Sequence, residues 1–128
     1  MKNTNNKSLY ERLGSANGIS KLVDDIVNAH MENPSIQARF IPLKDDPEKL
    51  ERIKKHTRQF LGAGSGGPEI YEGQVMPAAH RGMNVSEAEY MHTIDDIMAS
   101  LDKNNIDQQS KNEVLAIAYS LKEQIVRL

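Results

Sequence analysis

The chain has no cysteine and no tryptophan among its 128 residues. Without a thiol there is no disulfide framework, no thiolate zinc or iron–sulfur centre, and no cysteine nucleophile. Phenylalanine and tyrosine together supply only 5% of the residues, so few large rings are available to fill a core. A buried, flat, apolar cofactor would add surface that this composition lacks. A strong charge of one sign is also missing. The formal net charge is −2, and no basic field invites nucleic acid. No apolar run approaches the roughly 18 residues of a membrane-spanning helix. The opening, Met1-Lys2-Asn3-Thr4-Asn5-Asn6-Lys7, is polar and carries no signal-peptide apolar segment. These absences predict a soluble cytoplasmic protein with no nucleic-acid or membrane partner. Residues 1–7 are expected to be a loose tail and residues 8–128 a single domain.

What is present is helical punctuation. Ser8 and Glu11 have the spacing of a capping box, and Gly14 soon stops the helix they open. A second helix is predicted after Asn17-Gly18, with Ile19, Leu22, Val23, Ile26, Val27 and Met31 at spacings of three and four. His30 falls on the same face, and Pro34 ends the pattern near Asn33. The stretch up to Asp46 reads as irregular and holds Phe40. Asp46-Pro47-Glu48 then opens a third helix to about Leu61, with Leu50, Ile53, Thr57, Phe60 and Leu61 as its stripe and His56 at the border. The glycine-rich run Gly62–Pro68 resists helix and strand alike. Met76–His80 reads as a short helix. Ser86 and Glu89 form a second capping box ahead of Met91, Ile94, Ile97, Met98 and Leu101. After Asn104-Asn105, Asp107 caps a last helix carrying Val114, Ile117, Ala118, Leu121 and Ile125. No period-two strand pattern occurs, so the fold class is all-α.

Little familiar chemistry fits these residues. Asp24-Asp25 and Asp95-Asp96 are adjacent pairs whose members point to different sides of a helix, which predicts solvated faces rather than a carboxylate dyad. Glu89-x-x-His92 has the spacing of a di-iron motif, but only one copy exists where a bundle site needs two. His92 is then expected to form local ion pairs with Asp95 and Asp96. Histidines on different elements around an apolar middle remain. His80 stands on Pro77-Ala78-Ala79-His80-Arg81-Gly82-Met83, between two long helical patterns, where a cofactor-holding residue can sit. By position alone an ordinary surface or capping histidine also fits there.

Four stretches together resemble one known family. They are Leu9-Tyr10-Glu11-Arg12-Leu13-Gly14, Val23-Asp24-Asp25 followed by Met31-Glu32-Asn33-Pro34, the phenylalanine at Phe40, and the succession Gly66-Gly67-Pro68, Tyr71-x-Gly73, Ala79-His80-x-Gly82. The chain is similar to the group I truncated haemoglobins over nearly everything from Leu9 to Val126. The resemblance implies a truncated globin, a two-over-two helical sandwich, with haem (iron protoporphyrin) as cofactor. It implies His80 as the proximal iron ligand and Phe40 as the haem-stacking ring. Val27, Ile26, Ile53, Thr57, Phe60, Met76 and Met83 would complete the wall. His56 matches the position from which some members supply a distal iron ligand, though it could instead face a propionate or water. His30 is a second distal candidate, with buried hydrogen-bonded packing expected for it instead.

The departures from the family pattern bear on ligand chemistry. Val27 stands where a tyrosine usually donates to bound oxygen, and Thr57 where a glutamine often joins that network. No histidine lies in the final helix, so covalent haem attachment by that route is not expected. The resemblance implies reversible binding and transport of diatomic gases, oxygen or nitric oxide. Nitric oxide dioxygenation, with an electron from an unidentified reductase, is an alternative. A redox or electron-transfer role with two histidines on iron is another, and a haem-free helical interaction domain is a third.

Overall fold

A capping box opens the ordered chain at the expected place. In this computed structural model, which describes residues 7–128, Ser8 caps α1 (Leu9–Arg12). The Ser8 hydroxyl accepts from the Glu11 amide at 3.2 Å, and the Glu11 carboxylate accepts from the Ser8 amide at 3.0 Å. The tail expected at the start falls on residues 1–6, which lie outside the described residues. Lys7 is exposed, and its carbonyl accepts from Arg12 Nε at 3.3 Å.

The second helix, α2 (Ser15–Glu32), begins earlier than expected. Gly14 takes a left-handed φ of 99° and turns the chain straight into it. Its buried face is the predicted one: Ile19, Leu22, Val23, Ile26, Val27 and His30. The stretch that read as irregular is in fact α3 (Gln37–Phe40) followed by a 3-10 helix (Ile41–Asp45). Single turns are too short to display a 3.6-residue repeat, which is why the pattern hid them.

Asp46 caps α4 (Pro47–Gly64) by accepting from the Lys49 amide at 3.2 Å. This helix passes the predicted end at Leu61 and absorbs the first glycines. Gly62 is buried there because a Cβ would stand 2.6 Å from a carboxylate oxygen of Glu69. A short helix, α5 (Met76–His80), and a capped one, α6 (Glu87–Lys103), lie where the sequence predicts. The last predicted helix is broken in two, α7 (Gln108–Ser120) and α8 (Lys122–Ile125). Hydroxyls intercept its ladder at the break. Tyr90 donates to the Ala118 carbonyl at 2.5 Å and Ser120 to the Ile117 carbonyl at 2.6 Å.

Two helix pairs, α2 with α4 and α6 with α7, are laid over each other, with α2 touching α6 and α5 resting on α8. This is the two-over-two sandwich that the resemblance implied. One apolar cluster joins α1, α2, α6 and α7 through Leu13, Leu22, Val23, Val27, Leu101 and Val114. A second holds Val85, Tyr90, Ile94 and Ile125, and Met98 packs against both. Arg12 ties α1 to α7 by a bidentate pair to Glu113, both bonds 2.9 Å.

The adjacent aspartates are not simply solvated. Asp25 accepts from Lys21 at 3.0 Å and from Asn104 at 2.9 Å, with its side chain 13% exposed. Asp96 turns inward to His30, so the ion pairs expected of His92 with Asp95 and Asp96 do not form.

Glu89 is where the second capping box meets α3. Besides accepting from the Ser86 amide, its carboxylate receives Arg39 Nε at 2.6 Å and Nη2 at 3.1 Å. The Arg39 guanidinium, and next the Ser86 amide, hold its pKa down from 4.5 to about 2. A carboxylate with a depressed folded pKa stabilises the fold above its unfolded pKa, and that contribution is lost as pH falls through the folded value. Stability is therefore expected to drop between about pH 4.5 and about 2. Denaturant titrations across that range are expected to show a shallower acid loss for Glu89→Gln than for the wild type.

Candidate functional site

The local sequence that makes α5 also orients its histidine. Met76 and His80 are four residues apart, so on one helical turn the carbonyl of the first faces the side chain of the second. His80 Nδ1 lies 2.9 Å from the Met76 carbonyl oxygen. A carbonyl can only accept, so Nδ1 carries the proton and Nε2 is left with its lone pair. Among the described residues no protein group bonds Nε2. An imidazole fixed in this tautomer is ready to ligate a metal through Nε2. The segment beyond it is braced at the far end of the chain. The Gly82 and Asn84 amides donate to the Leu128 carbonyl at 3.1 and 2.9 Å.

Of the apolar side chains predicted around His80, Val27 belongs to the first cluster and Met76 packs against the second, while others stay outside both. Leu50 and Leu61 of α4 pack on the first cluster, but Ile53 and Phe60 belong to neither cluster. Of eighteen residues in α4 only Gly62 is buried, although α2, of equal length, buries six. Among the helices, substantial packing on α4 comes from α2 and the 3-10 helix, and Tyr71 of the following connection adds an edge-to-face contact with Phe60. Phe40, Ile53, Thr57, Phe60, Met76 and His80 are all half-buried. Val27 and Ile26 are buried, and Val27 is part of the first cluster. Met83 is the outlying member, 39% exposed, with its carbonyl accepting from Arg39 at 3.0 Å.

The other histidines are placed differently. His30 is buried and hydrogen-bonded, as expected for it. Its Nδ1 lies 2.7 Å from Asp96, whose carboxylate also accepts from Asn33 at 3.1 Å. Its ring tilts against Phe40 with centroids 4.8 Å apart. Burial pushes its pKa down, against the opposing pull of Asp96. His56 is half-buried, with Tyr71 edge-on at a centroid distance of 6.2 Å. The Thr57 hydroxyl donates to the Ile53 carbonyl at 2.8 Å, which occupies its single donor.

Tyr71 received no role from the sequence beyond its place in a motif. The available signal was Gly73 two residues on, where a tyrosine ring needs room. The glycine-rich connection is shaped by a similar close approach. A Cβ on Gly67 would lie 2.3 Å from the Tyr10 ring, so only glycine lets α1 close over this loop. Tyr10 in turn donates to Glu69 at 2.9 Å.

A two-over-two helical sandwich that leaves Ile53 and Phe60 of α4 outside both apolar clusters, and that tethers His80 on a short helix, is a setting in which a helical protein can hold a flat cofactor. The family pattern of bacterial-like globins matches residues 8–127. This chain belongs to the bacterial-like globin family. A group 1 truncated haemoglobin of Tetrahymena pyriformis is 24% identical over 111 residues, covering 87% of this chain and 88% of the relative. The Fe(III) crystal structure of the truncated haemoglobin from that organism superposes with a TM-score of 0.86 at 21% identity, covering 95% of this chain and all of the other. The 2/2 haemoglobin of Synechococcus sp. PCC 7002, described in a cyanomet state with covalently attached haem, gives 0.80 at 21% identity over 92% of this chain and 95% of its own. A group II truncated haemoglobin from Bacillus anthracis also gives 0.80, at 19% identity, over 94% and 92%. The resemblance to group I truncated haemoglobins is borne out.

Family membership brings haem as the cofactor and small gases such as oxygen as ligands. The residues present fit that group. An imidazole with one nitrogen tied and the other free suits iron, and a half-buried apolar stripe on α4 suits the porphyrin face. His80→Ala is expected to lose haem during gel filtration, with retention recovered when imidazole is supplied. An unchanged five-coordinate ferrous spectrum from that variant would contradict the assignment.

Proposed function

We propose that this globin binds oxygen and nitric oxide reversibly, with His80 as proximal ligand and His56 as an internal distal ligand in the resting state. When bound, haem would supply the iron that takes up such a gas. The protein's part is to fix the proximal imidazole, exclude water with apolar side chains and limit hydrogen bonding on the distal side. The observation that carries the reading is the His80–Met76 hydrogen bond, in a fold whose α4 stripe the apolar clusters cover only in part. Phe40, Ile53, Thr57, Phe60 and Met76 form the wall in this reading, with Val27 behind them and Met83 at the rim.

The distal chemistry supports weak retention of oxygen. Val27 has no donor, and the Thr57 hydroxyl is committed to its own helix. With little to hold a polar ligand, an internal histidine competes well. That favours a second reading, in which two histidines on iron serve electron transfer or redox sensing. Nitric oxide dioxygenation (nitric oxide plus oxygen plus one electron gives nitrate) needs an external reductase as partner. Single-turnover nitrate formation separates it from passive binding, and absence of a Soret band from purified protein would leave only a haem-free interaction domain.

Stopped-flow measurement tests the distal reading. Val27→Tyr adds one hydrogen-bond donor and is expected to slow oxygen dissociation by about tenfold. Equal off-rates would mean that another group already donates. The ferric wild type is expected to be low-spin near neutral pH, and His56→Ala high-spin with faster binding of external ligands. A wild type that is already high-spin would exclude His56 as the resting ligand.

A further inference from the structure

Helix α4 and the connection after it are fastened together along one edge. Gln59 Nε2 donates to the Glu72 carboxylate at 2.8 Å, and the Glu72 amide donates back to Gln59 Oε1 at 3.1 Å. Lys55 adds an ion pair to Glu72 at 3.5 Å. Next to this clasp, Tyr71 presents its ring to two rings of α4. It meets Phe60 at 5.3 Å between centroids and 80° between planes, and His56 at 6.2 Å and 75°. Both are edge-to-face geometries, the favoured arrangement of aromatic pairs.

The Tyr71 ring is itself tethered. Its hydroxyl donates to the Gln74 carbonyl at 2.5 Å. To get there the phenol crosses Gly73, where a Cβ would lie 2.4 Å from the hydroxyl oxygen. Burial raises the phenol's pKa above its usual value of 10.0, so the hydroxyl keeps the proton it donates. The ring is therefore held at both ends, by its own backbone and by its hydroxyl. His56 rests on a fixed wall.

We propose that Tyr71 is a positioning residue that holds the His56 imidazole against the connection and so weighs against its ligation of the haem iron. The proposal rests on the reading of His56 as a distal ligand. To serve as that ligand, the imidazole has to leave the Tyr71 edge or carry Tyr71 with it. The second course would break the Gln74 tether and strain the Gln59–Glu72 clasp. The first forfeits one aromatic pair, so Tyr71 lowers the ratio of six- to five-coordinate protein by about two- to tenfold. Gly73 and Gln74 thereby act on iron coordination through a ring that need not touch haem.

The test compares wild type, Tyr71→Ala and Tyr71→Phe, each also with His56→Ala. In the apoprotein, the His56 ring protons are expected to be ring-current shifted in wild type and to move towards free-histidine values in Tyr71→Ala. In the haem-loaded ferric protein, Tyr71→Ala is expected to raise the low-spin to high-spin ratio by about two- to tenfold. Tyr71→Phe keeps the ring but loses the tether, so a smaller rise is expected. With His56 absent, neither substitution is expected to alter the spin state. An unchanged or reduced low-spin fraction in Tyr71→Ala would overturn the proposal, as would the same rise without His56. Unshifted His56 protons in the wild-type apoprotein would show that the contact itself does not form. A wild-type chain that takes up no haem overturns the haem reading and the proposal together, whereas spin-state results fail the proposal alone.

Discussion

An amphipathic helix has to cover its apolar stripe, and α4 covers only part of its own. Leu50 and Leu61 find the first cluster, while Ile53 and Phe60 find neither. The reason lies partly in composition. With 38% hydrophobic residues and no tryptophan, the chain has too little apolar volume to lay another element across that face. A porphyrin ring supplies the missing surface, so cofactor binding and completion of the core are one event. The two-over-two arrangement follows the same logic. Each long helix pair buries one side against the other pair.

At His80, precision comes from one backbone carbonyl. The Met76–His80 bond needs only a single turn of helix, which is all that α5 provides. Such a turn is not stable alone, since the first turn of a helix costs more order than it returns. Its support comes from elsewhere. The helix rests on α8, and the Leu128 carbonyl ties down Gly82 and Asn84. The break between α7 and α8, made by the Tyr90 and Ser120 hydroxyls, separates off the short helix that gives this support.

Distally, the polar groups are committed to the protein itself. Thr57 bonds its own helix, His30 bonds Asp96 behind Phe40, and His56 leans on Tyr71. These commitments leave few hydrogen bonds for a bound ligand, in keeping with the weak retention of oxygen proposed above. In the proposed reading, the His56 imidazole and the tyrosine that restrains it are the means of tuning iron access.

The sequence by itself determined the all-α class, both capping boxes, the buried face of α2 and the short helix that carries His80. These depend on local chemistry: a serine three residues before a glutamate, apolar residues at spacings of three and four, and proline or glycine at the ends. Motif order also made the family legible, since Gly66-Gly67-Pro68, Tyr71-x-Gly73 and His80 stand at fixed separations. Tertiary structure alone decided the rest. The extension of α4 to Gly64 and the split at Leu121 depend on close approaches from other segments, the Glu69 side chain over Gly62 and the Tyr90 hydroxyl on the Ala118 carbonyl. The same holds for Asp96, which adjacency to Asp95 marks as solvated but which His30, 66 positions away, draws inward. A side chain's partner across the fold is set by packing, and no spacing along the chain encodes it.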